Sequence, residues 1–298
     1  MARFPYGGQA VIEGVMMRGR NNMAIAVRIR PEEIVVEEQR VHSLNEKLPF
    51  LKWPILRGTV ALIDSLIIGV KALTYSANQV VEGEGTGETI SPMEMTMSVI
   101  TALVLGIGIF FLLPVGMAIL LERYISNHNL QNLLEGLFRI GLFLAYVWGI
   151  SRLQDIQRVF QYHGAEHKVI HAYENGEELT VENARKYSAL HPRCGTSFLL
   201  VVMVISILVF SVLGKTDIWT RLISRVVLLP LVAGFAYEYI KFSAKCSDNL
   251  IIRILNAPGM WLQKMTTREP DDSQLEVAIC ALAKVIEVEE GTGVINAS

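Results

Sequence analysis

The sequence predicts a mainly α-helical, polytopic membrane protein: a helical bundle with about four transmembrane helices, an extended cytoplasmic helical hairpin and a small N-terminal β-hairpin element. Two observations predict this class. The 298 residues are 51% hydrophobic and only 19% charged, with a mean hydropathy of +0.38, which is too apolar for an ordinary soluble protein. Four segments also approach the length that crosses a bilayer, namely 97–121, 133–152, 197–214 and 221–241.

The N-terminal segment, residues 1–53, is predicted to be cytoplasmic and to contain β-structure. Two β-rich runs, 23–30 and 34–41, flank a proline turn and indicate a hairpin. Four glycines in residues 7–20 suit a chain that turns tightly or lies close to another group. That stretch is either a glycine-punctuated strand leading into a small sheet or a functional loop. The residues to test in it are Glu13 and Arg18.

Residues 54–90 follow as an amphipathic interfacial helix and an acidic linker. The helical part is apolar except for Arg57, Asp64 and Lys71, whose spacing by seven places them on one side of a helix. A spanning helix would bury all three charges at roughly 3 kcal/mol each. We therefore expect a helix that lies in the membrane interface or packs against the other helices. The glycine- and glutamate-rich run 82–88 predicts a flexible linker.

Two transmembrane helix pairs are predicted, in residues 91–152 and 197–242. In the first pair, Glu135 and Arg139 lie four apart near a helix end, so we expect them to pair with each other. The connection 153–196 is rich in lysine and arginine, whereas the other connections are poor in them. The positive-inside rule therefore places this histidine-rich loop and both termini in the cytoplasm of a multi-pass cell-membrane protein.

The remaining helices are expected on the cytoplasmic side. Within the histidine-rich hairpin, Thr180 can cap a second helix that ends near Leu190. Residues 243–298 predict amphipathic and cytoplasmic helices, the last of them from Ser273 to about Glu287 with one apolar face. That face needs cover, either from the cytoplasmic part of the same chain or from a partner protein.

The histidine-rich hairpin carries the chemistry, because four of the six histidines fall in residues 163–191. A helix through this region places His163 and His167 on one face, one turn apart, with Glu166 beside them. The pattern H-x-x-E-H matches the spacing of inverted zinc peptidases, in which the histidines bind Zn²⁺ and the glutamate acts on water. A further ligand must come from elsewhere. The nearest candidates are His191 and Cys194.

Other side chains are further candidates. His171 and Glu174 continue the same helix beyond the first two histidines. Glu238 lies between two tyrosines at the end of the fourth apolar segment, where it either marks the membrane interface or acts as a ligand or proton carrier facing the histidines. The histidines themselves have two alternative interpretations, as surface residues of a polar helix or as acid–base groups that act without a metal.

Four blocks together resemble the YqhQ-type bacterial family, a domain of unknown function whose members are predicted metal-dependent integral membrane proteins. The blocks are residues 7–18, 162–171, 191–196 and 266–270. The resemblance implies an integral membrane protein and makes a bound metal more plausible, but it implies no substrate. The last block adds two candidate site residues, Arg268 and Glu269.

Two functions follow from these patterns. The first is a metal-dependent hydrolase at the cytoplasmic membrane face that acts on a membrane-associated substrate. The alternative is a non-enzymatic membrane factor, for example in membrane-protein assembly or scaffolding, with a structural histidine cluster. A transporter or metal sensor is a weaker hypothesis, because few ionisable residues lie near the centres of the four segments. The expected partners are the lipid bilayer and other membrane proteins. A net charge of -2 without a basic block argues against nucleic acid.

Overall fold

A computed structural model describes residues 4–41, 49–83, 85, 90–213, 217–246 and 249–291. This part of the chain is mainly helical, with one small antiparallel sheet at the N-terminus. The strands are β1 (Gly7–Val11), β2 (Gly14–Arg18), β3 (Asn22–Arg30) and β4 (Glu33–Arg40). The helices are α1 (Leu56–Gly83), α2 (Pro92–Ile107), α3 (Leu113–Leu121), α4 (His128–Ile150), α5 (Gln154–Glu174), α6 (Val181–Arg185), α7 (Gly195–Ser211), α8 (Ile218–Val227), α9 (Leu229–Lys245), α10 (Leu250–Thr266) and α11 (Asp272–Glu290). A π-helical turn, Gly108–Leu112, joins α2 to α3.

The sheet is a four-stranded meander in which each strand pairs with the next along the chain. The predicted hairpin is confirmed as β3 and β4, with Val27 opposite Val35. The glycine-punctuated stretch before it forms β1 and β2, joined by a tight turn in which Glu13 has a φ of 52°. The sheet is therefore twice as large as the β-hairpin element that the sequence predicted.

Helices cover both faces of this sheet. On one face, Val15 and Ala24 pack with Tyr162 and Val169 of α5 and with Leu282 of α11. On the other face, residues of β1–β3 pack with the second half of α1. Burial of each large apolar side chain contributes about 1.5–3 kcal/mol. The sheet thus holds α5 in position. The apolar face of the predicted last helix, which is α11, is buried against the same chain.

Helix α1 combines two packing roles. The second half of α1 packs on the sheet, and α9 also packs against α1. At its start, Arg57 pairs with Glu238 of α9, and Asp64 is buried. The helix therefore packs against other parts of the chain, and its location in the membrane interface stays a prediction. Most of the predicted acidic linker, residues 84 and 86–88, lies outside the described residues.

In the part of the chain that the structure describes, three helical stretches are long and apolar enough to cross a membrane: α1, the continuous stretch through α2 and α3, and α4. The pair α8 and α9, bent by 40°, makes a fourth if it counts as one span. Helix α7 is apolar but has only 17 residues. The sequence therefore predicted a similar number of apolar helices, but it left out α1 and assigned a full span to α7. The predicted Glu135–Arg139 pair is confirmed at 2.9 Å.

The extended helical hairpin is only partly present. Helix α5 begins at Gln154, after a short non-helical interruption that separates it from α4. The second helix of the hairpin, α6, is only five residues long. The Thr180 side chain does accept the Asn183 N–H as predicted, but α6 ends at Arg185 instead of near Leu190. One reason is that the Arg185 carbonyl, which would accept the Ala189 N–H in a longer helix, instead accepts a hydrogen bond from the Lys168 ammonium group at 3.1 Å.

Candidate metal centre

Three side chains of α5 and the loop before α7 converge on one point. The candidate ligand atoms of His163, His167 and Cys194 all lie within 4.8 Å of one another. The two imidazole rings are 4.4 Å apart between centroids because the residues lie one helical turn apart. The Nε2 atom of His163 is 3.2 Å from the Sγ atom of Cys194. The structure therefore brings the two predicted histidines together with one of the two predicted partners.

Backbone carbonyls hold both imidazoles in this orientation. The Nδ1 atom of His163 lies 2.8 Å from the carbonyl oxygen of Thr266, and that of His167 lies 2.6 Å from the carbonyl oxygen of Ala189. A carbonyl only accepts, so Nδ1 carries the proton in each neutral ring and Nε2 keeps a free lone pair. Histidines that bind metals are oriented in the same way, with the other ring nitrogen donating to a carbonyl or carboxylate.

The electrostatics of the cluster also suit a metal ligand set. Burial lowers the pKa of His167, while a hydrogen bond to Cys194 opposes that shift. The ring is therefore neutral near pH 7, which is the form that binds a metal. Cys194 caps the N-terminus of α7, where its sulfur accepts the Thr196 N–H at 3.5 Å. The positive end of the helix dipole thus lies beside the sulfur.

Glu166 lies beside the cluster but belongs to neither three-ligand group among the described residues. Its carboxyl group accepts the backbone N–H of Gly8 in β1, and a Cβ atom at Gly8 would come within 2.9 Å of the Glu166 Cγ atom. Burial raises the pKa of Glu166, and His163 and His191 oppose that rise. The glycine of β1 therefore creates the space in which this buried carboxyl group sits.

His191 lies in a second, adjacent group with His171 and Glu174, whose candidate ligand atoms are also within 4.8 Å of one another. Protein partners satisfy this group. The Nδ1 atom of His191 accepts the Arg193 N–H at 3.3 Å, and its Nε2 atom lies 3.4 Å from Glu174, which also pairs with Arg193. The Nε2 atom of His171 lies 3.0 Å from the Leu190 carbonyl. Burial lowers the pKa of both histidines.

The second group therefore fastens the return loop, residues 186–194, to α5. Gln263 extends this fastening to α10. Its side chain accepts the backbone N–H of His191 at 2.9 Å, and donates to the His191 carbonyl and to the hydroxyl of Ser197. Gln263 is fully buried. Its role is not visible in the sequence, because a lone glutamine in an amphipathic helix does not indicate a loop partner.

The block 266–270 lies along α5. The Arg268 N–H donates to the Phe160 carbonyl at 2.9 Å. The Arg268 carbonyl passes so close to Gly164 that a Cβ atom there would lie 2.1 Å from it. Gly164 thus admits the strand-like segment that brings the Thr266 carbonyl to His163. Arg268 reaches α5 through its backbone.

Glu269 of the same block pairs with Lys168 on the buried side of α5. The Lys168 side chain is only 4% exposed and also donates to the Arg185 carbonyl at 3.1 Å. A buried ammonium group needs such partners, because its desolvation costs on the order of 5 kcal/mol. Glu269 therefore neutralises a charge of the hairpin.

The other candidates lie elsewhere. Glu13, at the β1–β2 turn, pairs with Arg158 and accepts the Tyr162 hydroxyl at 3.3 Å, so it joins the sheet to the first half of α5. Arg18 lines a cavity of about 280 Å³ together with Gly8 and residues of α1. Glu238 forms a two-point ion pair with Arg57 of α1. None of the three belongs to either ligand group in the described part of the chain.

The comparison with known proteins follows the same blocks. A family model described as "Protein of unknown function (DUF1385)" matches residues 53–288. The chain belongs to the DUF1385 family. The matched region contains all the helices of the two ligand groups, whereas the strands precede it. The chain is also 37% identical over 296 residues to the uncharacterized protein YqhQ of Bacillus subtilis (strain 168), covering 95% of this chain and 93% of that relative. No solved structure matches this DUF1385 protein.

Proposed function

We propose that this DUF1385 protein is a membrane-embedded, metal-dependent hydrolase whose centre is formed by His163, His167 and Cys194. The observation that carries this proposal is the convergence of two imidazole Nε2 atoms and one cysteine sulfur, with each imidazole oriented by a backbone carbonyl. Nitrogen and sulfur donors in this combination suit Zn²⁺. Catalytic zinc sites typically use three protein ligands and keep one position for water or substrate.

Zinc at this centre would act as a Lewis acid and would make an attacking water more acidic. Glu166 is the proposed general base, since it precedes His167 and matches the glutamate of the H-x-x-E-H pattern. Its carboxyl group accepts the proton of the attacking water and returns it to the leaving group. Gly8 holds this carboxyl group by its backbone N–H.

The proposed setting is the cytoplasmic face of a cell membrane. We propose that the α2–α3 stretch, α4, α7 and the bent pair α8–α9 cross the membrane. Helix α7 has only 17 residues, and α1, although long and apolar enough to cross, packs on the sheet and on α9 instead. The sheet packs on both α5 and α11, so the N-terminal strands and the C-terminal helix must lie on one side of the membrane. An even number of crossings would satisfy this condition, and the basic connection 153–196 supports a cytoplasmic location for that side. The proposed partners are the lipid bilayer and, for the substrate, other molecules within it.

Metal analysis and a matched set of variants test this function. Detergent-purified wild-type protein, prepared without added metal, should contain about one equivalent of zinc, as expected for one three-ligand site. The double variant His163→Ala/His167→Ala should lose the metal, whereas His128→Ala, on α4, should keep it. Glu166→Gln should retain the metal and lose hydrolysis of membrane-associated ester, amide and phosphodiester substrates. Retained turnover in Glu166→Gln would exclude its role as the base.

A second candidate function has its own supporting observation. Glu166 is buried against Gly8, and the centre joins α5, the return loop and the block 266–270. A metal here would then stabilise the cytoplasmic part of a non-enzymatic factor, such as one that assists membrane-protein assembly. In that case His163→Ala would lower the unfolding temperature, while Glu166→Gln would be silent in every assay.

A further inference from the structure

Two adjacent cavities lie beside the loop that carries Cys194, and together we call them the cleft. The first, of about 260 Å³, is an apolar slot between α7, α9 and α10, and its lining includes Val201, Val204, Leu208 and Leu255. The second, of about 580 Å³, lies between the end of α9 and α10. Both cavities share three lining residues: Pro192, Asn256 and Met260. The slot and this second cavity, which we call the mouth, are therefore neighbours.

The mouth is basic. Arg253 and Lys264 both line it, and both are exposed residues of α10. They are eleven residues apart, a spacing that returns to the same side of an α-helix. Across the ranges that the structure describes, neither has an ion-pair partner. Among the described residues, the mouth therefore offers two cations without an ion-pair partner on one helix face.

The boundary between slot and mouth includes a polar pair. The Tyr239 hydroxyl donates to the side-chain oxygen of Asn256 at 2.9 Å, and Asn256 lines both cavities. Around it, α10 exposes large apolar side chains, among them Ile251, Ile254 and Trp261. A helix with exposed apolar and basic residues of this kind is suited to the membrane interface.

We propose that this cleft binds an anionic lipid, with an acyl chain in the apolar slot and the charged head group between Arg253 and Lys264. The division of the cleft carries the argument. A soluble anion has no acyl chain to fill the slot, and a zwitterionic head group has no net negative charge to offset the two cations. An anionic amphiphile satisfies both ends, with the polar Asn256 and Tyr239 at the level where its backbone would lie.

The cleft borders the return loop that carries Cys194. Pro192 lines both cavities and lies two residues before Cys194, while Ser197 lines the slot and is held by Gln263. A lipid head group in the mouth would therefore lie beside the loop that supplies the cysteine. If the proposed hydrolase function is correct, and only on that basis, anionic lipids are its substrate class. Binding itself does not depend on the metal.

Fluorescence quenching tests this site directly. The chain has four tryptophans, of which Trp261 lines the mouth, so Trp53, Trp148 and Trp219 are replaced by phenylalanine. The remaining Trp261 is titrated with phosphatidylglycerol that carries brominated chains, and in parallel with brominated phosphatidylcholine. We expect quenching at lower mole fractions of the anionic lipid. Inorganic phosphate at millimolar concentration should not displace it, which separates a lipid from a free anion.

Two pairs of variants locate the site. Arg253→Gln/Lys264→Gln should lower the affinity for phosphatidylglycerol about 30-fold, at roughly fivefold for each charge near the membrane surface, while the exposed Arg123→Gln should not change it. Val204→Phe, which fills the slot, should weaken quenching by both lipids. Val212→Phe, the same substitution at an exposed position on the end of α7, should have no effect.

The outcomes separate this proposal from the hydrolase function. Equal quenching by the two lipids, or a preference unchanged in the Arg253→Gln/Lys264→Gln variant, would overturn the lipid site. Retained preference in His163→Ala/His167→Ala would support a lipid site that is independent of the metal. Preferential binding without any turnover would support the cleft and contradict the hydrolase.

Discussion

The Nε2 atom of His163 lies 3.2 Å from the Sγ atom of Cys194, although the two residues are 31 positions apart in the chain. The contact requires the chain to turn back after α6 and to begin α7 at the level of His163. The second histidine group, with His171 and His191, holds that return in place. The candidate metal ligands His163 and His167 are thus followed along the same helix by the loop-fastening His171.

Cobalt substitution should reveal the sulfur ligand. Protein reconstituted with Co²⁺ should show thiolate-to-cobalt charge-transfer absorption, because a cysteine sulfur coordinates as the thiolate. Cys194→Ser should remove that band and weaken zinc binding, whereas Cys246→Ser should keep both. An unchanged spectrum in Cys194→Ser would show that the sulfur is not a ligand.

Gly164→Ala should destabilise the protein and weaken the metal site together. The new Cβ atom would meet the Arg268 carbonyl at 2.1 Å, and relief of such overpacking costs about 1–3 kcal/mol. The displaced segment carries the Thr266 carbonyl, so zinc affinity should fall roughly tenfold. Thermal unfolding and zinc titration measure the two effects. Gly149→Ala, where a Cβ atom meets nothing within 4 Å, is the control and should unfold no earlier than the wild type.

The metal-free protein should lose stability on acidification. Burial lowers the pKa values of His167, His171 and His191, so below about pH 6.5 the unfolded chain takes up protons that the folded chain resists. Stability is therefore complete above pH 6.5 and falls as the pH drops towards the lowered values. The raised pKa of Glu166 acts in the opposite sense, because protonation of that carboxyl group favours the folded state.

The experiment therefore uses the Glu166→Gln variant after treatment with a chelator, with thermal unfolding followed from pH 8 to pH 5. The unfolding temperature should decrease steadily below pH 6.5, and His171→Gln should reduce the slope. An unfolding temperature that stays constant over this range would argue against neutral buried histidines.

The proposed topology predicts a labelling pattern. Cysteines placed at Arg20 and Glu290 should react with a membrane-impermeant maleimide only after the cells are permeabilised, since both positions lie on the side of the sheet and α11. A cysteine at Tyr124, which is 84% exposed between α3 and α4, should react in intact cells. Serine replaces Cys246 and Cys280 in the background. Opposite behaviour of the Arg20 and Glu290 positions would mean that α1 crosses the membrane.

The periodic features were predictable from the sequence. Apolar composition indicated the helices, alternation around a proline indicated the β3–β4 hairpin, and the spacing of His163 and His167 indicated a shared face. Each of these signals is local, because it depends on residues within a few turns of one another. The glycines of residues 7–20 signalled a close approach, which the structure shows at Gly8 against Glu166.

The assignment of ligands to groups was not predictable in the same way. His191 and Cys194 are three residues apart, and the direction of each side chain depends on the path of the return loop, which Gln263 and the Ala189 and Leu190 carbonyls determine. Every residue has a backbone carbonyl, so the sequence does not indicate which carbonyls will face a histidine. The same holds for Glu238, whose partner Arg57 became evident only once α1 was packed against α9.

The hydrogen bond between His163 and the Thr266 carbonyl connects positions 103 residues apart. During synthesis the first ligand is therefore free to rotate until nearly nine-tenths of the polypeptide has left the ribosome. A truncated chain that lacks α10 would present His163 without its orienting carbonyl, although His167 would keep the Ala189 carbonyl. If the proposed centre binds a metal, tight metal retention would therefore distinguish complete chains from truncated ones.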